Sequence, residues 1–154
     1  MSNQEGFLPQ LKRHEGLELK MYQCSQGYNT IGYGFNLDEH PIPQEIAEAL
    51  LDHMVMRMMD EIEASPEMKI ISGLSKPRQG VILNMWYNLG KTRIKGFKKM
   101  WAALAAGDYE KAAAEMLDSK WAVQVGNRSR ELARQMRVGE WQTKAPSMND
   151  IMEG

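Results

Sequence analysis

The chain has 154 residues, 43% of them hydrophobic and 25% charged, with a net charge of −1. This is enough chain to bury a core without staples, and the composition is that of a globular protein rather than a disordered or fibrous one. A single cysteine, Cys24, excludes an internal disulfide, so folding does not require an oxidising compartment.

The first residues, MSNQEGFLPQ, carry neither the basic region nor the apolar run of a secretory signal. No stretch approaches the ~20 apolar residues of a membrane-spanning helix. Pro9 suits the first position of a short helix that ends near Glu15, with Gly16 just past its end. Residues 17–23 alternate, with Leu17, Leu19 and Met21 on one side and Glu18, Lys20 and Tyr22 on the other; period two predicts a strand. Ser25-Gln26-Gly27 has turn chemistry, and residues 28–33 have strand composition, so the two runs form a hairpin. Gly32 and Gly34 weaken the second strand and let a ligand or another backbone come close.

His40-Pro41-Ile42-Pro43 breaks the chain, and a helix over 45–64 follows. Ile46, Leu50, Met54, Met58 and Ile62 recur every fourth residue and make a wide apolar stripe, ended by Ser65-Pro66. Its methionines read as core filling rather than a metal or cofactor box. A second helix start at Leu74-Ser75-Lys76-Pro77 leads into an apolar run over 78–89 that Gly90 stops. A helix from about 97 to 106 ends at Gly107, Asp108 suits the N-cap of 109–117, and Asn127 suits the N-cap of 128–138, closed by Gly139. Residues 142–154 turn polar and read as a tail. The predicted class is α+β, mainly α, in one domain of 1–154. It has a small lobe with a β-hairpin over 13–44, a connecting helix 45–64, and a helical lobe of 1–12 plus 66–141, with a cleft between the lobes.

Charge is unevenly spread. Residues 38–63 hold eight acids against one arginine, net −7; residues 91–99 carry +5 and residues 128–137 carry +3. The C-terminal half therefore suits an anionic partner, or presents a solvated face. Nothing else in the chain supports nucleic-acid binding. His14, His40 and His53 are scattered without ligand spacing, so no metal site is expected. The glycines at 27, 32 and 34 lie in a hairpin and open no helix, so no phosphate cradle and no cofactor are expected either. A Cys–His hydrolase built on Cys24 and His14 lacks a third group to complete it. Glu15, at a helix–strand corner ahead of a glycine-rich hairpin, sits where a general acid for glycoside cleavage would sit. The residues alone leave Cys24 open as a nucleophile, a core filler or a stand-in for another site residue.

Glu15-Gly16-Leu17, Leu19-Lys20-Met21-Tyr22 and Gly27-Tyr28-Asn29-Thr30-Ile31-Gly32-Tyr33-Gly34 resemble the phage-type lysozymes, the muramidase endolysins of tailed phages (glycoside hydrolase family 24). Glu15, Cys24 and Thr30 have that family's catalytic spacing: Glu, eight residues, Asp or Cys, five residues, Thr. Asn84-Met85-Trp86-Tyr87-Asn88-Leu89-Gly90 with Gly96-Phe97 looks like its central helix and exit. Trp121, Asn127-Arg128 with Arg130, and Arg137-Val138-Gly139-Glu140-Trp141 look like its C-terminal end, so the likeness covers about 8–141.

The resemblance implies hydrolysis of the β-1,4 bond between N-acetylmuramic acid and N-acetylglucosamine in peptidoglycan, for host lysis. Glu15 would be the acid, and Thr30 with Cys24 would position a water on the other face of the sugar. Tyr33, Asn88, Phe97 and Arg128 would contact substrate, Arg128 near the catalytic glutamate. It further implies a monomer held in the host cytoplasm until a holin or other permeabilising factor admits it to the wall. Phe35 stands where some relatives carry His, and the short segment 35–43 leaves two strands or a reduced third. With Cys24 in place of a carboxylate, two alternatives stand beside the hydrolase: a lytic transglycosylase of the same fold and a non-catalytic wall-binding module.

Overall fold

A computed structural model describes residues 4–147. In chain order they form α1 (Gln4–Glu15), β1 (Glu18–Gln23), β2 (Asn29–Gly32), β3 (Phe35–Asn36), α2 (Gln44–Glu63), α3 (Met68–Ile71), α4 (Lys76–Leu89), α5 (Lys91–Lys95), α6 (Lys98–Ala105), α7 (Tyr109–Leu117), α8 (Lys120–Val125) and α9 (Asn127–Val138). The described residues make an α+β fold, mainly helical with one small antiparallel sheet. The chain divides into two compact units, Met1–His53 and Met54–Gly154, and α2 runs through the division. That places α1 in the first unit, whereas the sequence reading assigned 1–12 to the helical lobe.

In the first unit the sheet has the order β1-β2-β3, with Tyr22 opposite Thr30 and Thr30 opposite Asn36. Thr30 therefore sits on the central strand, and it is buried. The third strand is the reduced one that the short segment allows. Asp38 secures it: its carboxylate accepts from the Asn29 backbone N–H at 2.7 Å and from Asn29 Nδ2 at 3.2 Å, while Asn36 Oδ1 accepts from the N–H groups of Asp38 and Glu39. Phe35 lies tilted against His40 with ring centroids 6.1 Å apart.

The second unit holds the main core. Val81, Ile82, Met85 and Trp86 of α4 are buried with Ile62, Ile71, Ile94, Met100, Met116, Trp121, Leu132 and Met136. Each such side chain contributes roughly 1.5–3 kcal/mol. Arg78 binds the end of α9 to α4: Nε donates to the Met136 carbonyl at 2.7 Å, Nη2 to the Arg137 carbonyl at 3.0 Å, and the guanidinium lies 3.8 Å from the centre of the Tyr109 ring. It thus satisfies carbonyls that the last turn of a helix leaves unpaired.

Several boundaries differ from the sequence reading, each for a local reason. Pro9 lies inside α1 rather than at its first position. Asn127 is the first residue of α9, and the cap is Gly126 at φ 54°, a conformation that glycine adopts without strain. Helices α3, α5 and α8, of four to six residues, are too short for a periodicity window to reveal. The stripe of α2 is buried only at Met58 and Ile62, while Ile46, Leu50 and Met54 are exposed. Asp108 does cap α7, its carboxylate accepting from the Lys111 N–H at 3.0 Å, and Gly139 closes α9 in the left-handed region. Part of the expected tail is tied down. Gln142 N–H donates to Gln135 Oε1 at 3.2 Å, and the Trp141 ring lies so near Gly80 that a Cβ there would meet it at 2.6 Å. Residues 148–154 of that expected tail, 142–154, lie outside the described residues.

Candidate active site

Glu15 is the last residue of α1. Gly16, at φ 72°, turns the chain out of the helix and donates its N–H to the Lys12 carbonyl at 2.9 Å, so the carboxyl stands at the helix–strand corner. It rests over the backbone of Gly34, in the turn between β2 and β3: a Cβ built on Gly34 would lie 2.5 Å from Glu15 Oε2. One turn earlier on α1, Lys12 Nζ lies 5.7 Å from the centre of the Tyr33 ring. Two neighbouring residues of the turn thus hold the end of α1, through a cation–π contact and through a space that only glycine leaves. Tyr33, expected to bind substrate, lines this corner and is exposed.

Cys24 follows β1 at the start of the hairpin loop. Its N–H donates to the Tyr28 carbonyl at 2.9 Å, and its carbonyl accepts from the Gly27 N–H at 2.8 Å, closing a tight turn in which Gly27 has φ 84°. Cys24 shares this turn with the backbone N–H groups of Gln26, Gly27 and Tyr28. They hold the thiol below its ordinary pKa, with Gln26 first and Tyr28 second; modest burial opposes them, and the Thr30 hydroxyl and the Gly27 N–H add to them. Thr30 Oγ1 also donates to the Tyr28 carbonyl at 2.9 Å. Cys24 and Thr30 thus meet at the Tyr28 carbonyl, which accepts from the Cys24 N–H and from the Thr30 hydroxyl.

The other sequence-selected residues lie in the second unit. Asn84 and Asn88 stand one turn apart on α4. Asn88 Oδ1 accepts from Trp121 Nε1 at 2.7 Å, which leaves its amide N–H groups free to donate outward. Phe97 meets the Trp121 ring edge-on with centroids 6.4 Å apart. Arg128 Nε and Nη2 donate to Asn84 Oδ1 at 2.9 and 2.6 Å. Sequence reasoning singled out Asn88, Phe97 and Arg128 but gave no role to Asn84 or Trp121, the side chains that orient them. It flagged Gly34 only as a site of close approach; that glycine-rich turn was the available signal for the place Glu15 occupies.

Within the first unit a carboxyl stands at a helix–strand corner, and the hairpin of the same unit carries the Cys24 thiol and the Thr30 hydroxyl. The phage lysozyme family model matches residues 12–138. The chain belongs to that family. It is 34% identical over 115 residues to an endolysin of Acyrthosiphon pisum secondary endosymbiont phage 1, covering 72% of this chain and 73% of that one. It is 27% identical over 156 residues to a probable T4-type lysozyme 1 of Dictyostelium discoideum, covering 84% and 92%. It is also 28% identical over 145 residues to the pre-baseplate central spike protein Gp5 of Enterobacteria phage T4, covering 77% of this chain but only 25% of the spike protein.

Proposed function

We propose that this protein is an endolysin that hydrolyses the β-1,4 bond between N-acetylmuramic acid and N-acetylglucosamine in peptidoglycan. The observation that carries the reading is the Glu15 carboxyl resting on Gly34 in the same compact unit as Cys24 and Thr30, which both donate to the Tyr28 carbonyl. Glu15 gives its proton to the glycosidic oxygen as the C1–O bond breaks. Thr30 orients a water toward C1. The Cys24 thiolate stands in for a carboxylate: it stabilises the positive charge that develops on the sugar and takes the proton of the attacking water. Asn88 presents amide donors to the substrate, and Phe97, Tyr33 and Arg128 supply the remaining contacts.

The similarity to a phage endolysin supports host lysis as the role, with wall access supplied by a holin or another permeabilising factor. Two experiments test the reading. Sacculi digested in heavy-oxygen water and analysed by mass spectrometry should yield reducing muramic acid ends that carry the label. Unlabelled anhydro products would instead make it a transglycosylase, and intact sacculi would make it a binding module. Expression with and without a co-expressed holin should give prompt lysis only with the holin.

A further inference from the structure

Outside the candidate active site, α7 and α9, with Pro146 from the segment after α9, line an open cavity of about 300 Å³. Its floor is Ala113, Ala114, Ala133 and Leu117, and its rim carries Arg130, Arg134 and Arg137, with Glu110 the one acid in the lining. The arginines recur at i, i+4 and i+7 of α9, and all three are half-buried. None makes an ion pair with a described residue, and neither does Glu110 or the adjacent Glu131. Like charges at this spacing repel one another. Glu110 and Glu131 are the acids at hand, neither is paired with these arginines, and the rim keeps a surplus of positive charge.

We propose that this cavity is a binding site for a phosphate ester. The lining carries three positive charges and one negative, a surplus of two. A phosphate monoester bears about −1.5 to −2 near neutral pH, so it balances that surplus, whereas a single carboxylate balances half of it. Guanidinium forks match phosphate oxygens with paired hydrogen bonds. The alanine floor is free of polar groups and accepts the carbon side of the ester. The site uses none of the residues assigned to glycoside cleavage, and the proposal stands or falls apart from that activity.

The test is calorimetric titration of the full chain at low salt with phenyl phosphate, alongside benzoate as a carboxylate of similar shape. Phenyl phosphate should bind more tightly than benzoate. Arg134→Gln and Arg130→Gln should each weaken it about tenfold or more, the scale of one charge-assisted hydrogen bond. Lys99→Gln, which removes the same charge from another basic run, should leave the affinity unchanged. Circular dichroism establishes that each variant is folded. A second arm separates sources of the phosphate: vesicles containing phosphatidic acid, compared with phosphatidylcholine alone. Binding to phosphatidic acid that is lost in Arg134→Gln, together with phenyl phosphate binding, makes a lipid headgroup the source. Phenyl phosphate binding without vesicle binding makes it a free ester. The proposal is overturned if phenyl phosphate does not bind, if benzoate binds as well, if Lys99→Gln weakens binding as much as Arg134→Gln, or if only vesicles bind.

Discussion

Gly34→Ala isolates the geometry on which the catalytic reading rests. The substitution adds one methyl group, and it has two separable effects. Gly34 has φ 73°; an L-residue in that region costs about 1–2 kcal/mol, which for a chain of this size lowers Tm by roughly 2–8 °C. The methyl would also lie 2.5 Å from Glu15 Oε2, whereas real contacts of this kind essentially never fall under 3.0 Å and are ordinary only from 3.4 Å. The carboxyl must therefore retreat by 0.5 to 0.9 Å, the differences between those limits and 2.5 Å. A displacement of ~1 Å in a reacting group costs on the order of 10²-fold in rate. Gly107→Ala is the control: φ is 72° there, and nothing lies within 4 Å of the added Cβ. Both variants should lose similar stability in a thermal melt. In a turbidity assay on permeabilised cells, only Gly34→Ala should lose activity, by about 10²-fold. If both variants clear cells at the wild-type rate, the carboxyl does not act from its place over Gly34, and the assignment of Glu15 fails with it.

Glu15→Gln keeps the shape and removes the transferable proton, so it should melt like the parent and lose roughly 10²–10⁴-fold in activity, measured on the same cells. Cys24→Asp should keep or raise activity and Cys24→Ala should lower it; equal activity of Cys24→Ala and the parent from pH 5 to 8 would reduce Cys24 to packing. Because the folded thiol is held below its ordinary pKa, its thiolate forms at lower pH than in the unfolded chain. Iodoacetamide should accordingly label native protein with a midpoint below that of urea-unfolded protein, and coincident midpoints would refute the lowered pKa. The sign of the linked stability follows: this contribution is complete above the unfolded thiol pKa and is lost as pH falls through the folded one. Arg78→Ala removes two charge-assisted hydrogen bonds from the end of α9 and should lower unfolding free energy by about 2–4 kcal/mol; a urea titration that finds under ~0.5 kcal/mol would show those carbonyls satisfied otherwise.

What the sequence alone determined is what local chemistry controls. Alternation at 17–23 and turn residues at 25–27 specify the hairpin, because side chains in a strand alternate faces and few residues tolerate the turn. Glycine past Glu15, glycine past Leu89 and Asp108 before α7 mark helix ends, because unpaired terminal groups accept few partners. The spacing of Glu15, Cys24 and Thr30 carries a resemblance to the phage lysozymes, the family whose model matches residues 12–138. Tertiary structure decided what depends on residues distant in the chain. No local pattern tells that Glu15 lies against Gly34, that Asn84 holds Arg128 forty-four positions on, or that Arg78 caps a helix beginning at Asn127. Nor does the sequence show which half of the α2 stripe is buried, since periodicity reports a face and not what covers it. The state of Cys24 belongs to the same class. Its thiol is an ordinary one in the sequence, and its pKa is lowered only once the hairpin turn sets it among the backbone of Gln26, Tyr28 and Gly27 and near Thr30.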